Sequence, residues 1–187
     1  MRPASVPALL LASVLLLAGC ERQPDVPEAN GAGAPTKGLD RSHAGKPIPD
    51  IEVRDDNDEA ASLADGAGAP LVVNVWATWC APCVKELPTL DALSRRPGAP
   101  RVVALSQDMT PRASVDAFLK QHRITELEAW HDPQMKLSGA LGAQVLPTTI
   151  YYDAAGRERW RYVGDLDWTG AEAARLLAEA PAASGRS

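Results

Sequence analysis

The sequence predicts an α/β domain: a mixed central sheet flanked by helices, with an added N-terminal β-hairpin. Two nearly continuous apolar, β-branched runs, LVVNVWA (71–77) and RVVALSQD (101–108), suit strands covered on both faces. Segments of helical periodicity follow each of them. The second half of the folded region then reads strand, strand, helix, and the order β-α-β-α followed by β-β-α calls for a mixed sheet with helices on both sides.

Each element has its own signal. DIEVRD and EAASL form a short hairpin around Asn57, with polar turn chemistry between them. A helix is expected from about Cys80 to Arg95, interrupted or kinked at Pro88, whose ring and missing N–H disturb a helix interior. PRASVDAFLKQH is an amphipathic helix with Pro111 suited to its first turn. LEAWHD reads as a short edge strand, and PQMKLSGALG as a helix stopped by Gly142. TTIYYD and RERWRYVG make an antiparallel pair around Ala155 and Gly156, and TGAEAARLLAEA closes the domain as a helix.

The folded domain is expected over residues 46–180 of the 187. Ahead of it, residues 20–45 are rich in Pro, Gly and Ala and nearly free of large apolar side chains, which predicts a flexible tether. Residues 181–187 read as a disordered tail. Residues 1–19 have the layout of a secretory signal, with Arg2 ahead of an apolar run from Ala8 to Ala18 that is short for a membrane span. LAGC at Leu17 to Cys20 resembles the lipobox of bacterial lipoproteins, which implies cleavage before Cys20, lipidation of its thiol and attachment to a membrane. That reading also accounts for an odd cysteine count of three.

Composition limits the function. The chain has a formal net charge of −5 and no run of Lys or Arg, so it lacks an electrostatic footprint for nucleic acid.

The chemistry concentrates in NVWATWCAPCVKELP. Cys80 ends a strand-to-helix turn and Cys83 lies in the first helical turn, so helix N–H groups and the helix dipole favour the thiolate of Cys80. Cys80 is therefore expected to be the more acidic and more exposed thiol. Pro82 is tolerated here because its missing N–H would have been unpaired anyway, and with Ala81 it stiffens the short loop joining the sulfurs. The pair is then held close enough to cycle between dithiol and disulfide. A structural zinc site would need further ligands, which His122 and His131 do not supply at suitable spacing. A purely structural disulfide across two residues would constrain little chain. Cu(I) binding by the two thiolates is the rival from another class.

These residues carry a family resemblance. LVVNVWATWCAPCVKELPTL resembles the active-site segment of the TlpA/ResA-like branch of thioredoxin-fold proteins, VLPTTIYYDAAGRE resembles the branch's cis-proline segment and following hairpin, and GKPIPDIEV leads in. The resemblance implies a thioredoxin-like fold and a periplasmic, membrane-tethered thiol-disulfide oxidoreductase, usually a reductant, with no cofactor beyond the redox-active disulfide of Cys80 and Cys83. It implies Cys80 as nucleophile, Cys83 as resolving cysteine, Ala81 and Pro82 as redox-tuning residues, and Trp79 as part of an apolar platform for a protein substrate. It further implies a cis bond before Pro147, leaving the backbone of Leu146 free to pair with an extended partner peptide. Glu86, three residues after Cys83, matches a glutamate that tunes the cysteines in ResA-like proteins; a solvated helix glutamate beside Lys85 is the plainer alternative. Asn74 stands where thioredoxin has a buried aspartate, and an amide cannot serve as that base. Trp76 reads as core.

Expected partners are protein disulfide substrates and a membrane thiol donor of the DsbD or CcdA kind, with the protein itself a monomer. Clients in cytochrome c maturation or in cytochrome oxidase copper-site assembly fit the resemblance equally. The alternatives are a Cu(I)-binding metallochaperone and a disulfide-donating oxidase.

Overall fold

The computed structural model describes residues 36–66 and 68–179. The signal, Cys20, and the tail therefore lie outside the described residues, as does most of the tether.

Among the described residues eight strands form one mixed sheet: β1 (Gly38–Asp40), β2 (Glu52–Arg54), β3 (Ala60–Ser62), β4 (Leu71–Trp76), β5 (Arg101–Ser106), β6 (Glu128–His131), β7 (Thr148–Tyr152) and β8 (Glu158–Val163). Their order is β1-β8-β7-β4-β5-β6-β2-β3. Among the described residues four α-helices accompany them: α1 (Ala81–Ser94), α2 (Arg112–Gln121), α3 (Lys136–Ala140) and α4 (Ala171–Ala178).

β4 pairs parallel to β5 and antiparallel to β7, and all six of its residues are buried. The strand period divides them between two cores. Val72 and Trp76 pack with Leu87 and Leu90 of α1, Val115 of α2 and Leu176 of α4. Leu71, Val73 and Val75 pack on the opposite face with Leu63, Trp130 and Leu137 of α3. Asn74 shares the Val72 and Trp76 side of the strand, which aims its amide at α1.

The expected elements are present, with four differences. α1 runs unbroken through Pro88, which is exposed, so the expected interruption does not occur. Buried Leu87, Leu90 and Leu93 hold both halves of the helix on one core. Pro111 occupies the N-cap of α2 rather than its first turn. β6 is not an edge strand, because the β2–β3 hairpin extends the sheet beyond it through the pair Arg54 and His131. Finally, the ordered domain begins before Lys46. β1 pairs antiparallel with β8, in the stretch assigned above to the tether. Its sequence, GLD, has no apolar run to announce it. Backbone bonds to an open sheet edge form it, and ion pairs from Lys37 to Asp165 and from Arg41 to Glu179 flank it.

No helix among the described residues is long and apolar enough to cross a membrane.

Candidate active site

The sheet ends where the chemistry begins. At the C-terminal end of β4 the chain turns through 77–79 and enters α1 with Cys80 as its N-cap residue. The turn is anchored from β5. Asp108, itself buried, accepts from the Thr78 N–H at 2.9 Å, the Thr78 hydroxyl at 2.6 Å and the Ser106 hydroxyl at 2.7 Å. The entry to α1 is thereby tied to the neighbouring strand at one buried carboxylate.

Cys80 and Cys83 form a disulfide, with Cα atoms 5.3 Å apart. Cys80 Sγ accepts from the Cys83 N–H at 3.3 Å, so a free N–H at the helix start points at sulfur. Cys80 is 6% exposed and Cys83 fully buried. Pro82 falls in the first helical turn, where its missing N–H leaves no donor unmet. Ala81 and Pro82 are exposed, and Trp79 is 71% exposed. Trp76, in contrast, is wholly buried.

Across the sheet, the Leu146–Pro147 peptide bond is cis. Leu146 is half-buried and packs against the core that holds Cys80 and Cys83. Its backbone N–H and C=O make no hydrogen bond among the described residues, whereas Pro147 C=O accepts from Gly164 and Val145 C=O from the Thr148 hydroxyl. An extended segment meeting Leu146 would find both groups available.

Glu86 is not a solvated helix glutamate. It is 2% exposed, and Lys85 reaches Asp165 instead, at 3.0 Å. The Glu86 carboxylate accepts from Asn74 Nδ2 at 2.7 Å, the Leu166 N–H at 3.0 Å and the Trp168 indole N–H at 3.2 Å. Burial pushes its pKa up to about 7, against those three donors, and the carboxylate of Asp165 pushes the same way. Asp165 itself is held down to about 2 by Lys37 and Lys85.

The site therefore contains three residues that the sequence did not mark as partners. Thr149, Leu166 and Trp168 surround Glu86 through Asn74, a backbone N–H and an indole. Asp108 was equally unmarked. His122 and His131 are engaged elsewhere, on the carbonyls of Phe118 and Asp108. Among the described residues no group of three or more His, Cys, Asp or Glu side chains is arranged to hold a metal ion.

A disulfide at the start of the helix that follows the central strand, with a cis-proline loop on the adjacent strand, defines a thioredoxin-fold protein with a redox-type Cys-x-x-Cys site. The chain belongs to the Redoxin family, whose model matches residues 43–177. It is 33% identical over 127 residues to the thiol:disulfide interchange protein DsbE of Xylella fastidiosa, covering 66% of this chain and 62% of that protein. It is 29% identical over 128 residues to the thiol-disulfide oxidoreductase ResA of Bacillus thuringiensis, covering 67% and 73%. The fold matches the crystal structure of a putative DsbE from Chlorobium tepidum with a TM-score of 0.65 and 22% identity, over 73% of this chain and 96% of that one. The thioredoxin-like fold expected from the sequence is thus borne out.

Proposed function

We propose that this protein is a thiol-disulfide oxidoreductase that reduces disulfides in partner proteins, with the disulfide of Cys80 and Cys83 as its redox group and no bound cofactor. One observation carries the reading: the disulfide sits at a helix N-terminus with Cys80 the more exposed of its two cysteines, and the buried Glu86 carboxyl lies one helical turn beyond Cys83.

In the reduced enzyme, the Cys80 thiolate is favoured by the helix N-terminus. It attacks one sulfur of a partner disulfide; that S–S bond breaks, and its electron pair leaves on the partner's other sulfur. The Cys83 sulfur then attacks Cys80, displacing the partner as a thiolate and giving up its own proton. Two electrons have passed to the partner, and Cys80 and Cys83 are left joined. Glu86 takes the Cys83 proton, acting near neutral pH because burial has tuned it there. Asn74 does not ionise, so it leaves that task to Glu86. Trp79 supplies apolar contact area for the partner, and the unpaired backbone of Leu146 receives an extended segment of it. Ala81 and Pro82 set the stiffness of the loop between the sulfurs.

The relatives named as interchange proteins and oxidoreductases support this chemistry. The lipobox-like LAGC supports acylation of Cys20 and a periplasmic, membrane-anchored monomer, re-reduced by a membrane thiol donor of the DsbD or CcdA kind. Clients in cytochrome c maturation or copper-site assembly suit such an address.

Trapping tests the scheme. A Cys83→Ser protein is expected to accumulate a mixed disulfide with an oxidised protein substrate, seen on a non-reducing gel. Cys80→Ser is expected to form none. A Cys83→Ser protein that turned over normally would defeat the mechanism. Mass analysis of the membrane-bound full chain tests the anchor: an unmodified Cys20 thiol contradicts it.

A further inference from the structure

Glu86 offers its two oxygens to different kinds of partner. Oε2 accepts from the Leu166 N–H at 3.0 Å and the Trp168 indole N–H at 3.2 Å, groups that can only donate. Oε1 accepts from Asn74 Nδ2 at 2.7 Å. The same nitrogen donates to Thr149 Oγ1 at 2.9 Å, and Asn74 and Thr149 are cross-strand partners in the β4–β7 register. Asn74 is fully buried, yet among the described residues its Oδ1 has no hydrogen-bond partner.

Burial favours the neutral carboxyl, but the hydrogen bonds as arranged serve ionised Glu86 well and neutral Glu86 poorly. A proton on Oε2 would lie against two donors with no acceptor to receive it. A proton on Oε1 faces the one neighbour that can change character, because an amide turned over presents its oxygen where its nitrogen stood. The Thr149 hydroxyl can donate as well as accept, so it keeps its bond to a turned amide. Turning sacrifices nothing on the far side of Asn74, where an unpartnered oxygen is exchanged for an unpartnered nitrogen.

We propose, resting on the reading of Glu86 as the proton acceptor, that Glu86 takes its proton on Oε1 and that the Asn74 amide turns over to accept it. Asn74 is then a positioning residue that follows the proton. As the Cys83 sulfur bonds to Cys80 and the partner leaves as thiolate, the Cys83 proton passes to Glu86 Oε1. The N–H···O bond from Asn74 to Glu86 becomes an O–H···O bond from Glu86 to Asn74. Release of the proton to solvent reverses both changes. Glu86 thus keeps a hydrogen-bond partner on Oε1 in both protonation states, and residue 74 never competes for the proton.

The test is an NMR titration of the oxidised full chain from about pH 5 to pH 9, with labelled carboxyl carbons in Glu and labelled side-chain nitrogen in Asn; in this range ordinary carboxylates stay ionised. The Glu86 carboxyl and the Asn74 amide are expected to titrate with one midpoint. The cross-peak from the Asn74 amide protons to the Thr149 methyl is expected to weaken below it. A Glu86 that titrates while the Asn74 cross-peaks stay constant overturns the turning amide and leaves Glu86 as acceptor. A Glu86 that does not titrate at all overturns both. In an Asn74→Asp variant the single step is expected to split into two macroscopic steps of a coupled pair. A single unshifted step there contradicts the contact on which the proposal stands, and a variant that fails to fold leaves the wild-type titration as the deciding experiment.

Discussion

The Trp168 indole N–H donates to Glu86 Oε2 at 3.2 Å from the loop after β8, joining residues 82 positions apart in the chain. Trp168 also stacks near Trp160, which stacks on Tyr151, so the donor is fixed by an aromatic row on the α1 side of the sheet. A donor to the charged form favours ionisation. Trp168→Phe is therefore expected to raise the Glu86 pKa above about 7, by about one pH unit given the usual strength of a hydrogen bond to a charged group. The release of a mixed disulfide, followed by stopped-flow fluorescence against pH, is expected to move its midpoint upward by the same amount. An unmoved midpoint would remove Trp168 from the control of Glu86.

Glu86 also makes folding pH-dependent. Its pKa is raised from 4.5 to about 7 in the folded protein, which therefore holds this proton where the unfolded chain has released it. The stability so gained is fully present below about pH 4.5, declines as the pH rises, and is lost through about pH 7, a change of about 3 kcal/mol. Glu86→Gln carries no such proton. Urea unfolding at pH 5 and pH 8 is expected to show wild type losing more stability than Glu86→Gln over that interval. Equal losses would mean that burial does not raise the Glu86 pKa in the folded protein.

The same substitution bears on rate. With its base removed, Glu86→Gln is expected to slow resolution by Cys83 by about 10²- to 10⁴-fold near pH 7, the usual range for a positioned acid or base. Attack by Cys80 on a small disulfide in a Cys83→Ser background is expected to change little. A slowing of both steps alike would assign Glu86 to Cys80 or to the fold.

How much of this is legible in the sequence depends on the kind of signal. Cys80, Pro82 and Cys83 stand in one short segment, and their helix-start chemistry needs no distant partner, so their geometry could be read locally. β4 and β5 announced themselves as unbroken apolar runs. Glu86 was visible only as a helical neighbour of Cys83, because its burial depends on Leu166 and Trp168, which the return of β8 brings over α1. Asp108 was invisible for the same reason: its partner Thr78 comes from the next strand over. β1 escaped because edge pairing of three residues leaves no hydrophobic pattern.

Asp108 is expected to matter for folding and for the placement of Cys80. Asp108→Ala leaves the Thr78 N–H and hydroxyl without their acceptor, which is expected to cost about 1–3 kcal/mol. Thermal or urea unfolding checks the magnitude. A change within about 0.5 kcal/mol would show that the 77–79 turn holds its shape without the carboxylate.

Trp79 separates recognition from stability. It is 71% exposed, so Trp79→Ala is expected to leave unfolding within about 0.5 kcal/mol of wild type. Burial of this ring by a protein substrate contributes about 1.5–3 kcal/mol, so KM for such a substrate is expected to rise by about 10- to 100-fold. Reduction of a small-molecule disulfide is expected to be nearly unaffected. Equal effects on both substrates would exclude Trp79 as a docking platform.

The reduction potential of the Cys80–Cys83 couple decides the direction of electron flow. The full chain would be equilibrated in glutathione or dithiothreitol buffers of graded potential and its thiol content read by alkylation and mass. A value near that of thioredoxin, about −270 mV, is expected, fitting a reductant supplied by a membrane thiol donor. A value near that of DsbA, about −120 mV, would contradict it and make the protein a donor of disulfides.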